Sequence, residues 1–200
     1  MYMSLKSIIL GSIPHLCFIL FFRSDLVKKC IFIAGVHGVG KTTFSMQLAT
    51  KLNLAHYSAS KLIKDFDSKL FFADKRVNDV RNNQDVLINS IQQNVSEEFY
   101  ILDGHFTLLT KDNVIEKIPS DTFKNLSITA AILLLEIPSI IHKRIHNRDK
   151  SKILSVSEIE ELQQYEIAYA KEICSLNNIS LLILKNSLEV ENYLKKERVI

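Results

Sequence analysis

Two hundred residues and 22.9 kDa make one ordinary domain with a sizeable core, and hardly two. A hydrophobic content of 47% beside 24% charged residues excludes a disordered or fibrous chain, and a net charge of +3 is too mild for a surface that coats nucleic acid. Cys17, Cys30 and Cys174 lie far apart, with neither metal-ligand nor disulfide spacing, and read as reduced thiols of a cytoplasmic protein.

The chain opens on an apolar run, residues 7–22 (SIILGSIPHLCFILFF), broken by Gly11, Ser12, Pro14 and His15. A spanning helix needs about 20 mostly apolar residues, so this run is short and poorly made for one. Lys6 before the run allows a signal peptide, but no clear small-x-small cleavage site precedes Arg23. Residues 1–26 are expected to be an upstream extension or a mis-assigned start, with 27–200 as the domain. A membrane anchor, or an element packed on the domain, are the alternatives, and membrane contact is expected only if residues 1–26 are real.

From residue 27 the chain alternates. Cys30–Ala34 (CIFIA) is a short apolar run stopped by glycine, as suits a buried parallel strand. Thr42–Leu52 reads as a helix, Ala55–Ser58 as a short extended stretch and Ser60–Phe71 as a helix. Asp74–Asn83 reads as loop and Asp85–Phe99 as an amphipathic helix. Phe99–Leu102 is the next strand, and 105–127 is irregular apart from a short helix near Ser120–Leu126. Ile128–Ile137 is apolar on both faces, as a central strand is. Pro138 opens the helix Pro138–Asn147. Val156–Leu176 is a long helix, Ser180–Leu184 a last strand and Leu188–Lys196 a last helix. Strands alternating with helices predict an α/β fold, a parallel sheet with helices on both faces. In such sheets ligands bind at the carboxyl ends of the strands.

Three of the five glycines fall within residues 35–40. Gly35-Val36-His37-Gly38-Val39-Gly40-Lys41-Thr42 fits G-x-x-x-x-G-K-[ST] between a strand and a helix, the pattern of a triphosphate-binding loop. Its backbone N–H groups and the helix dipole favour phosphate oxygens. Lys41 is expected to bridge the β- and γ-phosphates of a nucleoside triphosphate, Thr42 to ligate Mg²⁺ and Thr43 to touch the α-phosphate. Asp103 ends its strand as a metal-linked carboxylate should, the alternative being an aspartate in an ordinary turn with Gly104. His105 is either a ligand-facing group or a hydrogen-bonded core histidine. Arg144 and Arg148 share a helix face at i, i+4. Arg144 is placed to stack on the base and Arg148 to stabilise the transferring phosphoryl group, unless the two belong to a solvated basic face.

GVHGVGKTT, ILDGHFTLLT, LLLEIP, KRIHNRD and SEIEELQQYEIAYA occur in the order and approximate spacing of archaeal-type adenylate kinases, and residues 30–186 resemble that family of adenylate-kinase-like nucleoside monophosphate kinases. The resemblance implies that Gly35, Gly38, Gly40, Lys41, Thr42 and Thr43 hold ATP and that Asp103 takes the metal-linked role. It implies an α/β, three-layer P-loop fold, a five-stranded parallel sheet with helices on both faces and a short lid, and makes Arg144 and Arg148 the paired arginines before that lid at Asp149–Ser155. It places Ser58, Ser60 and Lys64 at the monophosphate-binding helix, Gln84 at the monophosphate base, and Lys185-Asn186 beside the adenine. Gly104-His105-Phe106-Thr107 stands where classical members place an arginine, and no arginine lies between Arg148 and Arg198.

The expected activity is transfer of the γ-phosphoryl group of Mg-ATP to a nucleoside monophosphate, AMP foremost, with nucleotides as partners. The alternatives are an ATPase acting as a nucleotide-dependent switch or assembly factor on a protein partner, which His105 permits, or a kinase of another small acceptor. No N-K-x-D tetrad follows residue 103, no LSGGQ-like segment is present, and no basic groove interleaved with aromatics points to RNA.

Overall fold

The computed structural model describes residues 28–70, 80–110, 113–148, 154–186 and 189. Residues 1–26, most of the expected lid at 149–155 and all but one residue of the expected helix Leu188–Lys196 lie outside them.

Among the described residues these elements follow in chain order: β1 (Lys29–Ala34), α1 (Lys41–Leu52), β2 (Ala55–Ser58), α2 (Ala59–Leu70), α3 (Val80–Asn94), β3 (Phe99–Asp103), β4 (Thr107–Leu109), β5 (Ile115–Lys117), α4 (Ser120–Asn125), β6 (Ile128–Leu134), α5 (Pro138–Arg148), α6 (Val156–Leu176) and β7 (Ser180–Leu184). Five strands form one parallel sheet in the order β2-β3-β1-β6-β7. β1 lies central because CIFIA is apolar on both faces. Ile33 packs with Phe44 and Leu48 of α1, Ile132 and Leu134 of β6, and Ile141 and Ile145 of α5. Phe32 points the other way, among Leu62 of α2, Leu87 and Ile91 of α3, Phe123 of α4 and Tyr169 and Ile173 of α6. Each face of the sheet thus has its own core, and the two-residue side-chain period of the strands divides the apolar residues between them.

Register carries the chemistry-bearing residues to one edge. Ile33 pairs with Asp103 and Ile132, and Asp103 also pairs with Ser58, so β1, β2, β3 and β6 end together. The Gly104 N–H donates to Ile33 O at 2.9 Å and extends this edge by one residue.

Several boundaries differ from the sequence expectation. The polar stretch Asp74–Asn83 is not all loop, because α3 begins at Val80. The helix expected to reach Phe99 stops at Asn94, and Phe99 instead starts β3. The strand expected through Ile137 ends at Leu134. Residues 105–127 are not irregular either: β4 and β5 pair antiparallel, Thr107 opposite Lys117 and Leu109 opposite Ile115. Helix α6 starts where its cap dictates. Ser155 Oγ accepts the Glu158 N–H at 3.2 Å and Glu158 Oε2 accepts the Ser155 N–H at 2.7 Å, a reciprocal capping box worth about 1 kcal/mol. Among the described residues no helix is long and apolar enough to cross a membrane.

Candidate active site

The loop between β1 and α1 can turn only because of its glycines. Gly38 has φ +83°, and a Cβ there would lie 2.7 Å from Ile145 Cγ1; at Gly35, with φ +143°, it would lie 2.5 Å from the Leu134 carbonyl oxygen. Both contacts are shorter than real carbon contacts, so the backbone sits close against β6 and α5 with no room for a side chain. α1 then begins at Lys41 with no side-chain cap, which leaves its first N–H groups for an anionic ligand.

Lys41 is 9% exposed and its ammonium donates to Gly35 O at 2.6 Å and Val36 O at 3.1 Å. Burial lowers its pKa to about 8; Glu166 and Asp103 draw it upward and Arg148 pushes it down. Asp103, 5% exposed at the end of β3, takes a contact of 2.7 Å from His56 Nε2 of β2. Burial, together with the charges of Lys41 and His37, holds the His105 imidazole well below the usual histidine range, so it is neutral at physiological pH.

The turn after β3 is clamped from α6. Glu166, wholly buried, accepts the Phe106 N–H at 2.9 Å on Oε1 and the Thr107 N–H at 2.7 Å and Thr107 hydroxyl at 2.6 Å on Oε2. Burial raises its carboxyl, and these donors with Lys41 oppose that shift. One turn earlier, Gln163 uses its amide on both backbone groups of Glu136, accepting from N at 3.1 Å and donating to O at 3.0 Å. Phe106 is anchored from below: its ring lies 5.3 Å from Phe32, edge to face, and 5.0 Å from Phe123, stacked.

Three cavities adjoin this edge. The first, about 100 Å³, lies between α2, α3 and the β3 turn and is lined by Ser60, Gln84, Asp103 and His105 among apolar residues including Phe32 and Leu87. A second of about 280 Å³ is bordered by His37, His105 and Thr107. The third, about 360 Å³, lies along the start of α1 and is lined by Gly40, Thr43, Gln47, Glu136 and Arg144.

The sequence-predicted residues fall into place unevenly. Gly35 through Thr43, Asp103, His105, Arg144 and Arg148 gather at one edge. Arg144 donates to Val39 O at 3.1 Å and to Glu136 Oε2 at 3.2 Å, so it is tied to the loop, and Arg148 donates to the His37 ring. Thr42 and Thr43 are exposed at the start of α1. Ser60 and Gln84 line the first cavity, while the Ser58 hydroxyl lies 3.1 Å from that of Ser60. Lys64 is exposed on α2 and lines none of the three cavities. Asn186 accepts the Glu189 N–H at 2.8 Å and likewise lines none. Sequence reading passed over His56, Glu136, Gln163 and Glu166.

The cradle fits a triphosphate with its magnesium ion: it has space where side chains would clash, uncapped helical N–H groups, a buried lysine, and a hydroxyl and a carboxylate from Thr42 and Asp103 as hard oxygen donors. The sequence profile described as AAA domain matches residues 34–163. No curated protein sequence matches the chain. Among solved structures, the shikimate kinase from Acinetobacter baumannii, in complex with shikimate, superposes with a TM-score of 0.53 at 15% identity, covering 86% of this chain and 91% of that one. A gluconokinase from Sinorhizobium meliloti 1021 gives a TM-score of 0.49 at 11% identity over 85% and 89%. The architecture is that of a P-loop kinase-like α/β fold.

Proposed function

The chain belongs to the AAA domain family, and we propose that it is a P-loop phosphotransferase moving the γ-phosphoryl group of Mg-ATP to a small acceptor. The observation that carries this reading is the double position of His105, which borders both the cavity at Asp103 and the cavity at His37 of the phosphate loop. An acceptor held in the first would lie next to a phosphoryl group held in the second, with the neutral His105 imidazole bordering both and leaving the acceptor atom to attack phosphorus directly.

Mg-ATP supplies the transferable group and a cation that offsets its charge. The loop N–H groups and the start of α1 bind and orient the phosphates. Lys41 exchanges the carbonyls of Gly35 and Val36 for phosphate oxygens, a swap of neutral for anionic partners that favours the ligand. Thr42 and Asp103 would hold the metal, with His56 fixing the Asp103 carboxylate. Arg144 lines the nucleoside side of the loop, and Arg148, at His37, faces the end where charge develops. Such chemistry asks the protein mainly for positioning and charge neutralisation.

The acceptor we put first is a nucleoside monophosphate, AMP before others. Support comes from Gln84, buried in the first cavity with amide donors and acceptors suited to a base edge, and from Ser60 beside it. The test is product formation with Mg-ATP and a panel of monophosphates, nucleosides and small hydroxylated metabolites, separated by chromatography, with Lys41→Ala as control. One phosphorylated product, lost in the control, supports the reading. ATP hydrolysis with every acceptor overturns it in favour of a nucleotide-driven switch.

A further inference from the structure

A glutamate at the centre of a helix normally faces solvent, and a buried one is retained only when its charge is met by donors. Glu166 is wholly buried and meets three, all from two consecutive residues of the turn that follows Asp103. Because Phe106 and Thr107 offer N–H and O–H groups alone, the clamp suits a carboxylate with both oxygens accepting. The glutamine equivalent would set an NH₂ group against one arm. The segment so fixed is Gly104–Thr107. Its Gly104 N–H is bound to Ile33 O at 2.9 Å at one end, Phe106 is locked in the aromatic cluster, and His105 projects between these anchors to the two cavities.

We infer that Glu166 is a positioning residue for phosphoryl transfer: from α6 it holds the Gly104–Thr107 turn so that His105 and Asp103 face the reacting groups. The inference rests on the transferase reading for its kinetic consequence, though not for the clamp itself. Glu166 lines none of the three cavities. Its action runs through the turn. A displacement of about 1 Å at such a turn costs on the order of 100-fold in rate, and loss of a supporting hydrogen-bond partner about 10- to 100-fold.

The test uses the full chain carrying Glu166→Gln, with Thr107→Val as a milder companion that removes the hydroxyl arm alone. Expected for Glu166→Gln is a kcat lower by about 10- to 100-fold, with the Kd for Mg-free ATP within about threefold of the parent. Amide hydrogen exchange at Phe106 and Thr107 should quicken about tenfold or more, with the β1 amides unchanged. Thr107→Val should lose less kcat than Glu166→Gln. Unchanged exchange at both amides overturns the clamp; parental kcat, or a matching loss of ATP affinity, overturns the positioning role. Should Glu166→Gln fail to fold, Thr107→Val decides: unaltered exchange at Thr107 and parental kcat overturn the inference. If the parent phosphorylates no acceptor, the transferase reading fails separately, and kcat is then read on basal ATP hydrolysis beside the same exchange experiment.

Discussion

His56 Nε2 lies 2.7 Å from Asp103 Oδ2, joining the edge strand β2 to the carboxylate at the end of β3. The contact fixes one oxygen of a side chain that is 5% exposed and lines the first cavity. Replacing His56 by Ala leaves that carboxylate short of a donor. The predicted result is a stability loss of about 1–3 kcal/mol, read by urea unfolding, and a kcat reduced about tenfold or more. ATP affinity measured without magnesium should be unchanged, because the phosphate loop is untouched.

Gly38→Ala should abolish nucleotide binding in a folded chain. The new methyl would lie 2.7 Å from Ile145 Cγ1 at φ +83°, and the loop must shift to admit it. A Kd for an ATP analogue raised by more than about tenfold, with a far-UV spectrum like the parent's, is the predicted outcome.

Lys41 gives the pH dependence. With its pKa lowered to about 8, chiefly by burial, the free chain loses this charge as pH rises through 8. ATP affinity should therefore fall above pH 8, and Lys41→Arg should flatten that limb because guanidinium keeps its charge. The contribution to folding has the opposite slope. The unfolded lysine titrates near 10.4, so between about pH 8 and 10.4 the unfolded state holds more protons, and this group's contribution to stability rises with pH. Calorimetric titrations from pH 7 to 9.5 check the first statement, and unfolding curves over the same range the second.

The two described cysteines should be inert in the native state. Burial pushes Cys30 up to about 12 and Cys174 up to about 11, so neither forms thiolate at neutral pH. Thiol titration at pH 7.5 should leave both unmodified until denaturant is added, as mass mapping of the labelled peptides would report.

The phosphate loop was legible because its signal is local: glycines at fixed offsets, then Lys-Thr, between an apolar run and a helix. Strands β1 and β7 and helix α6 were legible from apolar runs and helical spacing. The end of α3 was not, since Phe99 continues the apolar spacing of Ile91 and Val95 across a break in the helix. β4 and β5 are three residues each, too short to show an alternating pattern. Glu166 and Gln163 read in the sequence as the polar face of an amphipathic helix. What buries them are backbone donors and acceptors some 60 and 27 residues away in the chain, which no periodicity reports. His56 had one available sign: it sits two residues before Ser58 in the short extended stretch Ala55–Ser58.

The central claim is that the phosphoryl group goes to an acceptor other than water. Turnover in H₂¹⁸O with Mg-ATP and the acceptor panel, followed by mass spectrometry of every phosphate-bearing product, tests it directly. The account predicts a phosphorylated acceptor free of ¹⁸O, formed in equal amount to ADP and absent with Lys41→Ala. Inorganic phosphate carrying one ¹⁸O atom, equal in amount to the ADP formed, would contradict it.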